Sequence, residues 1–260
     1  SEFKPIVEGE DAIFHGRIIG ETLYMITNFE APRYKVVSVD LNKPSMENWT
    51  TVIPESRDLT IEGTAFVKGH IVLSVLKDAV SYLHIYRMDG QFVKEIQLPT
   101  LGTITGLTGD LSEPEFFFAF ESFLIPPAIY SCNIDSDGAR PFIESSKAFD
   151  QDIAAVEQVF YPSKDGTIIP MFILKPKNCQ IGEGTPYPTV LSGYGGFNTS
   201  RTPAYSPSII PWIESGGIYA SANLRGGSEY GEEWHRAGML DKKQNVFDDF
   251  IAAAERLIAD

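Results

Sequence analysis

Alternating apolar and polar positions, rich in β-branched and aromatic residues, run from the start of the chain to about Ser146, broken by Gly, Pro, Asn and Asp. Runs of this kind predict short strands joined by turns. One pattern occurs three times. Leu23–Thr27 is followed by a polar turn and Tyr34–Asp40; Ile71–Leu76 by Lys77-Asp78 and Tyr82–Tyr86; Phe116–Phe120 by Glu121-Ser122 and Ala128–Ile134. Each copy reads as an inner apolar strand, a turn and a second strand. Asp89-Gly90 and Asp137-Gly138 supply further hairpin turns, the first leading to an outer strand over Phe92–Leu98. The copies start roughly 45–50 residues apart, the repeat length of a four-stranded propeller blade. Periodicity alone leaves a β-sandwich of similar strands as the alternative. Three blades do not close a ring, so a propeller reading expects more blades upstream.

After about Phe149 the pattern changes. Val156–Tyr161 and Thr167–Leu174, joined across Ser163-Lys164-Asp165-Gly166, predict an antiparallel hairpin. A short strand over Thr189-Val190-Leu191 leads into Gly193-Tyr194-Gly195-Gly196-Phe197-Asn198. A short helix is expected within Ser206–Ser215, distorted or delayed by Pro211. A buried strand over Gly217–Asn223 follows, and then the loop Arg225–Gly231. A last helix is expected to start near Asn245 as N-cap, with Asp248 and Asp249 in its first turn. Phe247, Phe250, Ile251, Ala254, Leu257 and Ile258 fall on one face of it. Strand, helix, strand, helix is the beginning of a parallel sheet covered by helices. A domain boundary is therefore expected near residue 150.

Composition narrows the function classes. Net charge is −14, with acidic residues spread along the chain, which argues against a nucleic-acid-binding surface. No run is long and uncharged enough for a membrane helix. Cys132 and Cys179 are far apart and outside metal-ligand spacing, so idle thiols are expected rather than a disulfide framework. His15, His70, His84 and His235 never pair at zinc-site spacing, and no metal or cofactor motif is present. The chain opens on Ser-Glu-Phe with no signal segment, as if cut from a longer protein.

The glycine-rich stretch after the strand at residues 189–191 is the sharpest chemical feature. Glycines there allow a tight turn and bring main-chain N–H groups close to a substrate. In α/β-hydrolases the loop after this early strand supplies part of the oxyanion hole, although a plain strand-ending turn has the same composition. A nucleophile elbow needs Gly-x-Ser-x-Gly. Gly226-Gly227-Ser228-Glu229-Tyr230 fails at its last position and comes one strand early, which makes Ser228 a loop serine. His235 is read as a structural histidine in a loop.

Several separated motifs resemble the prolyl oligopeptidase family. They are Phe160–Thr167 with Ile169–Phe172, Gly193–Asn198, Asn223–Gly227 with Glu229–Gly231, Trp234-His235, and Gln244–Phe250. The resemblance implies closing blades of a seven-bladed propeller over residues 1–149 and the N-terminal part of an α/β-hydrolase peptidase domain over 150–260. It also implies a serine peptidase cleaving short peptides on the carboxyl side of proline through a Ser–Asp–His triad. Carried over, Tyr194 corresponds to the oxyanion-hole hydroxyl, Phe197 to an aromatic lining the proline pocket, and Arg225-Gly226-Gly227 to an architectural loop. None of the triad falls within this chain, which is therefore expected to be inactive by itself. The further implications are proline-containing peptides as partners, no nucleic acid or membrane partner, no cofactor, a monomeric parent and a cytoplasmic location. Alternatives are a catalytically dead scaffold of the same architecture, or a relative specific for basic residues or for acyl-aminoacyl substrates.

Overall fold

The computed structural model describes residues 4–143, 153–177, 179 and 186–259. The expected boundary near residue 150 lies outside the described residues. Three consecutive four-stranded antiparallel sheets occupy the first half. The first comprises β1 (Phe14–Ile19), β2 (Thr22–Thr27), β3 (Lys35–Asp40) and β4 (Thr50–Ile53). The second comprises β5 (Thr60–Val67), β6 (His70–Lys77), β7 (Val80–Arg87) and β8 (Phe92–Ile96). The third comprises β9 (Thr103–Gly109), β10 (Glu115–Glu121), β11 (Ala128–Asn133) and β12 (Arg140–Ile143). Each sheet pairs its strands in chain order, as a propeller blade does.

The threefold pattern thus marks the two middle strands of each blade and not an innermost strand. Middle strands are paired on both edges and pack at least one face against the adjacent blade, so they carry the strongest apolar signal. The first strands, β1 and β9, are largely exposed and correspondingly weak in sequence. Burial along β10 alternates strictly: Phe116, Phe118 and Phe120 are buried while Phe117 and Ala119 are half-buried. Apolar side chains of blades one and two pack as one cluster that includes Ile26, Val36, Phe66 and Leu73. Those of blades two and three form another around Val72, Leu83, Phe116 and Phe118.

The fourth sheet holds β13 (Ala154–Pro162), β14 (Ile168–Pro176), β15 (Thr189–Gly193) and β16 (Ile218–Ala222), in the spatial order β13-β14-β16-β15. Only β15 and β16 are parallel; β14 pairs antiparallel with both β13 and β16. The parallel sheet expected from the strand–helix alternation is therefore confined to the pair joined by a helical crossover. That crossover carries α1 (Ile209–Glu214), which begins late and places Pro211 in its first turn, where no intrahelical N–H donor is needed.

After β16 come α2 (Glu232–Arg236) and α3 (Gln244–Ala259). His235 lies on α2, not in a loop. The last helix already includes Gln244, so Asn245 is inside it and donates from Nδ2 to the Ala237 carbonyl instead of capping. Asp248 and Asp249 accordingly fall beyond its first turn. Its buried stripe is Val246, Asp249 and Ala253, with Phe250 and Leu257 half-buried. Phe247, Ile251 and Ile258 of the expected face are exposed.

Blades and fourth sheet meet through hairpin tips. Ala79 and Val80 of blade two and Phe123 and Leu124 of blade three pack with Phe172, Leu174 and Ile209. Asp78 and Ala79 both have positive φ, 50° and 63°. This is the tight-turn geometry that suits twisted hairpins and normally selects Asn or Gly. Tyr230 Oη donates to Asp78 Oδ1 at 2.8 Å, and Gln158 Nε2 to the Asp78 carbonyl at 2.5 Å.

Candidate active site

The site is built where β15 and β16 end side by side, their register running Thr189 opposite Ile218 to Gly193 opposite Ala222. Two loops leave that edge together. The first, 194–199, turns with Gly195 at φ +60° and with Phe197 and Asn198 at 55° and 54°. Left-handed backbone at non-glycine residues is uncommon, and here it sits in the segment singled out chemically. A Cβ at Gly195 would lie 2.4 Å from Val246 Cγ1 and 2.8 Å from the Arg225 carbonyl. The second loop has Gly226 at φ +97°, where a Cβ would come within 2.7 Å of the Gly195 carbonyl. The glycines therefore let two main chains pack directly on each other.

Hydrogen bonds lock the pair. Asn198 N donates to the Gly226 carbonyl at 3.2 Å, and His235 Nδ1 lies 2.9 Å from the same oxygen. Asn198 N also lies 3.1 Å from His235 Nδ1, so the ring nitrogen, the Asn198 amide and the Gly226 carbonyl form one three-membered contact. Gly226 N donates to the Trp234 carbonyl at 2.9 Å, and Lys243 Nζ to the Gly195 carbonyl at 2.6 Å. His235 is thus a tie between loops. Ser228 Oγ pairs with Ser200 Oγ at 2.7 Å, as a loop serine would.

Beneath the loops lies an ionic cluster. Arg225 is buried and contacts the fully buried Asp249 carboxylate through Nη2 at 2.6 Å and Nε at 3.0 Å. Asp249 also accepts from Arg225 N and from Ser163 Oγ, at 3.0 and 2.6 Å. A buried charge persists only when paired and hydrogen-bonded in this way. Burial opposes the Arg225 charge, yet hydrogen bonds to Asp249 and Asp165 outweigh it and raise its pKa. Hydrogen bonding from Arg225 holds the Asp165 carboxyl down at about 2. Glu229 is also buried. Its Oε1 accepts from Arg201 N at 2.8 Å, while Oε2 has no hydrogen-bond partner among the described residues, and burial pushes its pKa up. The roles of Asp249 and Glu229 are not written in the sequence: Asp249 lies on one of two apolar stripes of α3 that spacing leaves equal, and Glu229 sits in a loop.

Of the two carried-over site residues, Tyr194 is half exposed and Phe197 is 86% exposed. Their rings stand 6.5 Å apart, tilted by 34°, on the outer side of the first loop. The Tyr194 hydroxyl has no protein partner among the described residues. A cavity of about 440 Å³ adjoins the loops; Asn198 and Ser228 line it, Tyr194 and Phe197 do not.

Residues 1–145 match the family model described as prolyl oligopeptidase, N-terminal beta-propeller domain, and residues 203–260 match that of the prolyl oligopeptidase family. The chain is 39% identical over 259 residues to a prolyl endopeptidase of Elizabethkingia miricola, covering 99% of this chain and 36% of that protein. It is 36% identical over 250 residues to a prolyl endopeptidase of Dictyostelium discoideum, covering 90% and 32%. The chain thus spans about a third of the length of these curated relatives. Among solved structures, a prolyl endopeptidase studied for inter-domain dynamics in catalysis and specificity superposes with a TM-score of 0.92 at 39% identity, over 98% of this chain and 37% of that one. Prolyl oligopeptidase B of Galerina marginata, bound to a 35mer hydrolysis and macrocyclization substrate, superposes with 0.90 at 30% identity, over 99% and 37%.

Proposed function

The chain belongs to the prolyl oligopeptidase family, and from that premise we propose that the protein carrying it is a serine-type endopeptidase cleaving short peptides after proline. The carrying observation is the pair of interlocked glycine loops at the edge of β15 and β16, which presents Tyr194 and Phe197 outward on a braced backbone. In this reading the Tyr194 hydroxyl, without a partner among the described residues, donates to the oxyanion of the tetrahedral intermediate. A preorganised donor of that kind stabilises the transition state by about 3–4 kcal/mol. Phe197 offers a flat apolar face to a pyrrolidine ring, which makes no hydrogen-bond demand.

The 260 residues hold no Gly-x-Ser-x-Gly elbow. The nucleophile, acid and histidine of the reaction are therefore assigned outside them, and this chain by itself is assigned no activity. Residues 1–149 serve as propeller blades and 150–260 as the first part of the hydrolase domain. A monomeric parent, a cytoplasmic location and the lack of a nucleic-acid or membrane partner complete the proposal. The test uses the full-length protein: a fluorophosphonate should label it, and Tyr194→Phe should lower kcat on a proline peptide by about 10²-fold or more with little change in KM. A kcat unaffected by Tyr194→Phe removes the oxyanion role; absence of both labelling and cleavage removes the peptidase.

A further inference from the structure

Strand β5 carries a bulge. Ile61 stands opposite Val75 and Gly63 opposite Ser74, which leaves Glu62 as the extra residue. A bulge redirects the side chain at the irregularity, and such features concentrate beside functional sites. Glu62 lines the 440 Å³ cavity that β1 and β5 wall and that Asn198 and Ser228 border. One part of the lining is apolar, with Ile13, Ile26, Ile61 and Phe66.

The polar part is rich in acceptors. Besides the Glu62 carboxylate, Thr64 Oγ1 and Asn198 Oδ1 are buried without a hydrogen-bond partner among the described residues, while the Asn198 amide group bonds the Tyr34 hydroxyl. Glu229, fully buried and with Oε2 unpartnered, lies close enough to repel Glu62. Arg17, a cation of the lining, is exposed and interacts with Asp110; His15 is the other basic group there. Two residues at the cavity, Tyr34 and Asn198, hold left-handed backbone, φ 71° and 54°. Strain of this kind persists where the surroundings over-determine it, often at ligand sites. Buried acceptors without donors are costly. The group that answers them carries several N–H donors, a positive charge and an apolar stem.

We propose that this cavity is a subsite for the alkyl-ammonium group of a peptide, with Glu62, Thr64 and Asn198 receiving its N–H donors and the isoleucines flanking its stem. As a substrate subsite it rests on the peptidase reading above; as a binding site it does not. Desolvation by the surrounding wall, followed by repulsion from Glu229, raises the Glu62 carboxyl to about 7, although the residue keeps exposed surface and solvent screens both effects. Ammonium binding therefore strengthens from pH 6 to pH 8 as Glu62 ionises, while a lysine, with a pKa of about 10.4, keeps its charge.

The experiment is calorimetric titration of the full-length protein with proline peptides bearing either lysine or norleucine at one position upstream of proline. Each peptide is prepared with a free and with an acetylated N-terminus. At pH 8 the lysine peptide should bind about tenfold or more tightly than its norleucine counterpart; the free α-amine, with a pKa of about 8, is compared with its acetylated form at pH 7, where it is mostly charged. Which of the two shows the preference identifies the source of the ammonium. The preference should collapse in Glu62→Gln, shrink in Thr64→Val and shrink at pH 6, while His15→Gln should leave its pH dependence in place. Equal affinity across the set, no binding at all, or a preference untouched by Glu62→Gln overturns the proposal. A protein that binds as expected yet cleaves nothing would overturn the peptidase reading alone.

Discussion

Acidic residues in three environments show how placement decides what a carboxyl does. Asp249 is buried and completely answered by Arg225 and Ser163, so it acts as structure. Asp165 is held at about 2 by Arg225, against a reference of 3.8. Glu62, which keeps exposed surface on its bulge, is raised to about 7, against 4.5, first by desolvation and then by Glu229, with both effects screened by solvent; Glu229's own carboxyl is raised by burial. Between pH 4.5 and 7 the folded chain holds on Glu62 a proton that the unfolded chain releases, so this contribution falls as pH rises through that window and is level above it. Asp165 works oppositely, stabilising above 3.8 and losing that contribution as pH falls toward 2. The urea midpoint should therefore peak at roughly pH 4–5 and decline toward 7. In Glu62→Gln the decline should become shallower; a midpoint profile that Glu62→Gln does not alter would contradict the assignment.

At the scale of elements, the glycine loops depend on main chains touching. Gly195 and Gly20 have nearly the same φ, +60° and +61°, but a Cβ at Gly20 meets nothing within 4 Å while one at Gly195 meets Val246 and the Arg225 carbonyl. Gly20→Ala should cost about 1 kcal/mol through backbone strain alone, and Gly195→Ala distinctly more. Equal losses in thermal unfolding would show that the loops yield. Helix α3 carries the complementary lesson. It has two adjacent apolar stripes, and amphipathic spacing marks both without ranking them. Contact with Leu224, Gly195 and the strands selects the stripe through Val246 and Ala253, because Asp249 on that stripe is where Arg225 requires a carboxylate. The blade strands were legible for the opposite reason: each middle strand is paired on both edges and buries at least one face, so its alternation has one reading.

Over the whole molecule, blades and fourth sheet share a core through the tips at Ala79 and Phe123, reinforced by the Tyr230–Asp78 bond. Apolar surface remains outside that core. Phe142 and Ile143 are exposed on the edge strand β12, Val190 on the edge strand β15, and Phe247, Ile251 and Ile258 along α3. Unpaired strand edges and contiguous apolar stripes favour association. The 260-residue chain should show a concentration-dependent rise in mass by light scattering, reduced by Ile251→Glu. A monodisperse monomer at all concentrations would contradict this.

By itself the sequence determined the repeat of strands, the change of architecture after the blades, the hairpin β13–β14 and the glycine segments at the strand ends. Each of these is written in local periodicity or in residues whose backbone freedom is local. Tertiary structure alone decided which stripe of α3 is buried and why Asp249 is there. It also made a tie of His235 and used a bulge to aim Glu62 into a cavity shared with Thr64 and Asn198. Those features join residues far apart in the chain. Local spacing reports which way a side chain faces along its own element and carries no record of what the fold will bring opposite.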